Sequence, residues 1–241
     1  MTTPPLANRL AAECVGTAAL TAVLIGSGIQ ATGLSPDGGV QFLGNVGASV
    51  LALGVLIVLL GPVSGAHFNP LVSAAAWWAE RRTGTGLTPR DLGAYALAQL
   101  AGAVGGAALA NLMFGHPAVE LSLHHRSGPR LWLAESVATG VLLLLVLGLA
   151  RTGRARYAPV AVSAWIAAAC WGTSSGSFAN PALTLGRALS DSYTGIAPGS
   201  VPAFVLAQTL GAGAALALLP LLFGPDHAKA PADARELTPN P

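Results

Sequence analysis

Apolar runs of about 20 residues, separated by short polar segments, recur along the chain at 10–29, 42–62, 92–114, 131–150, 158–173 and 202–223. These stretches lack the polar face that a helix on a soluble core would carry. A helix of about 20 residues crosses a hydrocarbon layer about 30 Å thick, so the pattern predicts six transmembrane helices. Two further apolar stretches are shorter: Pro70 to about Ala79 and Pro181 to about Leu189. Each begins on an Asn-Pro pair, Asn69-Pro70 and Asn180-Pro181. Proline suits the first helical position, where its missing N–H would have no partner. Asparagine suits the cap, where its side-chain oxygen accepts from free backbone amides. About ten residues make roughly 15 Å of helix, half a membrane. The chain leading into each, Ser64 to Phe68 and Ser174 to Ala179, is rich in glycine and serine. It reads as re-entrant chain, tolerated at membrane depth where it lines a wet cavity or is buried in protein.

Laid over each other, the two halves of the sequence repeat. Ala12-Glu13-Cys14-Val15-Gly16-Thr17 opens the first span and Ala134-Glu135-Ser136-Val137-Ala138-Thr139 opens the fourth. Tyr95-Ala-Leu-Ala-Gln99 in the third span returns as Phe204-Val-Leu-Ala-Gln208 in the sixth. The asparagines are 111 residues apart and the glutamines 109. Three spans per half is an odd number, so the halves insert in opposite orientations. The predicted fold is an all-α membrane protein of six transmembrane helices plus two re-entrant half-helices in an inverted 3+3 repeat. The repeats cover about 8–113 and 131–223 within one channel domain, 1–223. The polar, proline-containing tail, 224–241, is expected to be disordered. Inverted symmetry brings the half-helix N-termini together near the midplane, where their dipoles repel a cation and suit a neutral molecule with lone pairs. Glycines 102, 105 and 106 in the third span and 211 and 213 in the sixth are expected to let helices cross closely.

Composition agrees with a membrane location. Charged residues make up 9% of the chain and hydrophobic residues 53%, against about 25% charged in an ordinary soluble domain. With both ends on one side, Arg9, Arg81, Arg82, Arg90, Arg151, Arg154, Arg156, Lys229 and Arg235 share a face, and Arg126, Arg130 and Arg187 take the other. That bias predicts cytoplasmic termini in a multi-pass protein of the inner (plasma) membrane. No cleavable leader is expected, since the first span follows Arg9 and is long enough to stay in the membrane. Cys14 and Cys170 lie inside apolar spans and read as small buried residues. His116, His124 and His125 fall in the loop joining the halves and read as solvated. No metal, cofactor or nucleic-acid partner is expected.

The two Asn-Pro boxes, the A-E-x-x-G-T opening, the A-Q-x-x-G-A helices and Ser-Gly-Ala-His-Phe-Asn-Pro at 64–70 together resemble the aquaporin, or major intrinsic protein, family over about residues 8–223. The resemblance implies a homotetramer with one pore per subunit, passing water or small uncharged solutes down a gradient. It implies that Asn69, Pro70, Leu71, Asn180, Pro181 and Ala182 line the pore, with both asparagines donating to the passing molecule. Glu13 and Glu135 would support the re-entrant loops. Independently, a carboxylate in an apolar span is expected to face the bundle and find donors, although Glu13 lies near enough to Arg9 to snorkel instead. His67 matches a family histidine near the cytoplasmic pore mouth, and either lines the pore or makes a structural hydrogen bond.

Several positions depart from the family pattern. Its second box usually carries arginine where this chain has Leu183. Family spacing places the rest of the selectivity filter at Ser49, Ala168 and Ser177. Ser49, Ala168, Ser177 and Leu183 form a set without charge, aromatic ring or bulk, so the filter is expected to be wider and less polar than that of a water channel. Arg187, one helical turn beyond Leu183, either leans back toward the pore mouth or stays away from it. Leu71 stands where alanine is usual, and either repacks the junction or narrows the midplane. The arginine-less box followed by Arg187-Ala-Leu-Ser-Asp also resembles a bacterial subgroup associated with arsenic handling.

The resulting expectation is a passive channel for glycerol, urea, trivalent metalloid hydroxides such as arsenite, and water. A water-selective pore is the alternative within the family. An ion channel would need acidic rings, and the spans offer Glu13 and Glu135. A structural membrane protein is the other rival. No nucleophile-elbow or zinc-binding spacing supports an enzyme.

Overall fold

The computed structural model describes residues 4–81 and 86–224. Among them the chain forms eight α-helices and no strand. Helices α1 (Leu6–Leu34), α2 (Gly38–Ser64), α4 (Pro89–Met113), α5 (Pro129–Arg151) and α8 (Val201–Phe223) are long and apolar enough to cross a membrane. The sixth crossing, α6 (Ala158–Gly172), has 15 residues, about 22 Å of helix. A 3-10 turn, Ala155–Tyr157, extends its start. The half-helices are α3 (Pro70–Glu80) and α7 (Pro181–Arg187), so the second is a turn shorter than its twin.

Local chemistry sets the helix ends. The Asp37 carboxylate accepts from the Val40 amide, and the Thr88 hydroxyl from the Asp91 amide. Helix α2 ends where Gly65 takes φ +91°, a left-handed conformation open to glycine at little cost.

The inverted repeat is visible in the packing. Helix α1 pairs most extensively with α4, and α5 with α8. A Cβ on Gly102 would lie 2.3 Å from the Cys14 carbonyl oxygen, and one on Gly106 would lie 2.2 Å from that of Ala18. Across the other pair, a Cβ on Gly211 would lie 2.1 Å from the Ser136 oxygen. These three glycines let backbones touch, which is how helices gain packing energy in lipid. Gly105 and Gly213 depart from the expectation, because their faces are open. Residues four apart share a helix face while neighbours are rotated by about 100°, which puts Gly105 off the contact stripe.

Helix α3 packs against α4, α5 and α8, and α7 against α1, α4 and α8, so each half-helix touches both repeats. The tail beyond Gly224 lies outside the described residues. So does Arg82.

Candidate functional site

The two re-entrant loops are built alike, residue for residue, at an offset of 111 positions. Ala66 and Phe68 have φ of +50° and +49°, and their counterparts Ser177 and Ala179 have +52° and +47°. Left-handed conformations cost a residue with a side chain about 1–3 kcal/mol each and persist only where surroundings enforce them.

The enforcing groups are the two intramembrane glutamates. Glu13 is fully buried. Its Oε1 accepts from the Ser64 hydroxyl at 2.6 Å and the His67 amide at 3.0 Å. Its Oε2 accepts from the Phe68 amide and from Gln99 Nε2, both at 2.7 Å. Glu13 therefore faces the bundle, away from the snorkelling alternative, and Arg9 pairs with Asp91 at 3.5 Å instead. Glu135, also fully buried, accepts from the amides of Phe178 and Ala179 at 2.9 Å and from Gln208 Nε2 at 2.7 Å. Each glutamine is itself oriented by a hydroxyl on the neighbouring half-helix. Gln99 Nε2 donates to Ser73 Oγ and Gln208 Nε2 to Thr184 Oγ1, both at 3.0 Å. Ser73 and Thr184 also stand 111 apart. Each lies four residues past its asparagine, where the repeat continues beyond the Asn-Pro boxes.

At the loop tips the asparagines cap their own helices. Asn69 Oδ1 accepts from the Leu71 amide at 2.9 Å, and Asn180 Oδ1 from the amides of Ala182 at 2.9 Å and Leu183 at 3.3 Å. Their side-chain nitrogens cross the symmetry axis. Asn69 Nδ2 donates to the Ala179 carbonyl at 2.8 Å and Asn180 Nδ2 to the Phe68 carbonyl at 2.7 Å. An amide nitrogen has two hydrogens, so each asparagine keeps a second donor.

A cavity of about 860 Å³ runs past this junction. Glu80, Arg151 and Arg156 border it at one side of the bundle, and Ser49, Ser177 and Leu183 line it beyond the asparagines. Asn69, Asn180 and His67 line it between them. The His67 ring also contacts Ser73, Nδ1 to Oγ 3.0 Å, so it has both of its expected roles in geometry. The hydroxyl oxygens of Ser49 and Ser177 are buried and have no hydrogen-bond partner.

Five positions fall elsewhere. Ala168 is exposed on α6, whose cavity-lining residues are Ala158, Pro159, Val162 and Ile166 instead. Pro70, Leu71, Pro181 and Ala182 are also outside the lining set. With asparagine at the cap, the first two helical residues point behind the loop, and the third returns to the cavity as Val72 or Leu183. Leu71 packs against the apolar cluster that includes Val72, Leu142 and Leu143, so it repacks the junction.

In the outer loop, His116 Nδ1 lies 3.5 Å from Glu120 and His124 Nε2 lies 3.8 Å from Asp191. Arg126 Nε donates to the Gly195 carbonyl at 2.8 Å, and burial pushes the guanidinium below its ordinary pKa.

Sequence and structure comparisons point the same way. The major intrinsic protein family model matches residues 1–168 and 122–238. The chain is 44% identical over 220 residues to the aquaglyceroporin AqpS of Rhizobium meliloti (strain 1021), covering 91% of this chain and 92% of that one. It is 31% identical over 240 residues to a probable aquaporin, AqpM, of Archaeoglobus fulgidus, covering 88% of this chain and 96% of the relative. In fold it is similar to the crystal structure of the aquaglyceroporin from Plasmodium falciparum, with a TM-score of 0.63 at 21% identity, over 90% of this chain and 95% of that one.

Proposed function

Because the chain belongs to the major intrinsic protein family, and so is a membrane channel for small neutral solutes and water and not an enzyme, we propose that glycerol-sized polyols and hydroxides are its main cargo. The observation that carries this reading is the pair of unpartnered hydroxyls, Ser49 Oγ and Ser177 Oγ, beside the apolar Leu183. A buried polar group without a partner costs about 1–3 kcal/mol. A serine that turns its buried hydroxyl into the cavity gains a partner from a passing polyol, whose carbon edge lies against leucine. Water satisfies the hydroxyl too, but gains nothing from the apolar wall. The likeness to an aquaglyceroporin supports the same choice.

Urea and uncharged trivalent metalloid hydroxides such as arsenite fit this chemistry, being small, neutral and rich in hydrogen-bonding groups. The asparagines supply the midplane donors through the hydrogen not spent on the opposite loop. Glu13 and Glu135 hold the loops, and His67 faces the passage on the side of Glu80 and Arg151.

The channel unit is the single domain 1–223, in a plasma membrane with both termini cytoplasmic. Support comes from the clustering of Arg9, Arg81, Arg90, Arg151, Arg154 and Arg156 at one set of helix ends. The assembly is a homotetramer. Exposed Leu51, Val55, Val58 and Leu59 on α2 give apolar area for neighbours and lipid alike. Stopped-flow permeability of proteoliposomes to water, glycerol, urea and arsenite tests the cargo. Glycerol and arsenite rates at least tenfold above protein-free vesicles are expected; flux of water alone would favour a strict water pore.

A further inference from the structure

We propose that Arg187, with Arg126 behind it, is the residue that keeps cations out of this channel, supplying the fixed positive charge that Ser49, Ser177 and Leu183 lack. The inference rests on the channel reading above and adds a selectivity element to it.

The placement follows from helix geometry and from the repeat. Residues four apart share a helix face, so Arg187 stands one turn outward from Leu183, which lines the cavity. The 111-residue offset makes the pair Leu183 and Arg187 the counterpart of Val72 and Ala76. Both Val72 and Ala76 line the cavity on the other side of the midplane. Arg187 is outside the lining set, so the second half carries a guanidinium behind the cavity wall where the first half carries a lining methyl group.

Arg187 is held firmly there. It is 7% exposed, and its Nε donates to the Thr194 carbonyl at 2.6 Å. The guanidinium carbon lies 3.2 Å from the centre of the Phe178 ring, and Phe178 lines the cavity. Arg126 approaches the same ring at 5.3 Å, with Nε on the Gly195 carbonyl at 2.8 Å and Nη2 on the Tyr193 carbonyl at 3.4 Å. Three consecutive carbonyls therefore anchor two cations around one cavity-lining ring.

Neither guanidinium makes an ion pair among the described residues. The ion pairs among the described residues are Arg9–Asp91, His116–Glu120 and His124–Asp191. Glu135 attracts both guanidiniums but is held by the amides of Phe178 and Ala179 and by Gln208, and one carboxylate does not cancel two cations. Carbonyls fix the guanidiniums without cancelling their charge. In a narrow, low-dielectric passage, an uncancelled positive charge repels a permeating cation strongly and leaves a neutral polyol unaffected.

The test reads two fluxes from the same proteoliposomes: glycerol by stopped-flow light scattering, and protons by an enclosed pH dye under a potassium diffusion potential. Arg187→Gln keeps a donor for Thr194 but removes the charge; Arg187→Lys keeps the charge. For Arg187→Gln the ratio of proton leak to glycerol flux is expected to rise at least tenfold, and for Arg187→Lys to stay within about twofold of wild type. A glycerol-conducting Arg187→Gln with the wild-type ratio overturns the proposal. Should Arg187→Gln not conduct glycerol, Arg126→Gln decides: a raised ratio supports the proposal and an unchanged one overturns it. Failure of the underlying channel reading shows separately, as wild-type protein with no glycerol flux above empty vesicles.

Discussion

Replacing Glu13 with glutamine removes one charge and no bulk, so the consequence can be worked out bond by bond. The carboxylate takes four donors, two on each oxygen: Ser64 and His67 on one, Phe68 and Gln99 on the other. A glutamine oxygen placed at the second site keeps Phe68 and Gln99. Its NH₂ then faces the Ser64 hydroxyl, which can turn to accept, and the His67 amide, which cannot. One buried N–H is orphaned at about 1–3 kcal/mol, and the two surviving bonds fall from charge-assisted to neutral strength, about 1 kcal/mol each. A destabilisation of about 3–5 kcal/mol is expected. It is concentrated in a loop that already carries left-handed Ala66 and Phe68, so glycerol flux is expected to fall at least tenfold as the loop relaxes. Reversible unfolding in mixed micelles measures the stability, and stopped-flow glycerol uptake the flux. Glu13→Ala, which removes all four acceptor contacts, should be worse on both. A Glu13→Gln protein within about 0.5 kcal/mol of wild type and with unchanged glycerol uptake would refute the claim that this carboxylate enforces the loop.

Asn180→Asp replaces the donor to the Phe68 carbonyl at 2.7 Å with a repelling oxygen, and glycerol permeability is expected to drop tenfold or more in the same uptake assay. Gly106→Val must push α4 off the Ala18 carbonyl, now 2.2 Å from the would-be Cβ, at a cost of about 1–3 kcal/mol or more. Gly105→Ala, with open space around its Cβ, should unfold with wild type, and equal losses for both variants would contradict the crossing geometry. Ser49→Ala combined with Ser177→Ala removes two hydrogen bonds of about 1 kcal/mol each to a transiting polyol. Glycerol permeability should then fall by up to about thirtyfold, which solute-gradient traces resolve.

The architecture was legible because lipid forbids irregular backbone and unsatisfied polar groups. Each Asn-Pro, Glu and Gln in an apolar run had to have a partner, and the repeat said where. The parts that were not legible have physical reasons. Ala66, Phe68, Ser177 and Ala179 take left-handed conformations with no glycine to announce them, because Glu13 and Glu135 impose them from two helices away. Ala168 was placed by counting back from Asn180 across a loop whose chain path differs from a helix. The count lost rotational register, and α6 instead turns Ile166 to the cavity. Leu71 leaves both outcomes open in the sequence because leucine is bulkier than the usual alanine beside the junction, and one residue of helix turns it behind the loop. Gly105 and Gly213 carried the right residue type on the wrong face.

The central claim is that an uncharged constriction at Ser49, Ser177 and Leu183 admits polyols, and Leu183→Arg tests it most directly. A guanidinium there takes the space of the passing solute's carbon edge and offers five donors that water can use as well as a polyol can. It also places a second cation one turn from Arg187, so correct folding has to be established by monodisperse elution and reversible unfolding before fluxes are compared. In a folded variant the ratio of glycerol to water permeability, measured on one vesicle preparation, is expected to fall at least tenfold. A folded Leu183→Arg channel with the wild-type ratio would mean that Leu183 does not bound the passage, and the constriction would have to be sought elsewhere.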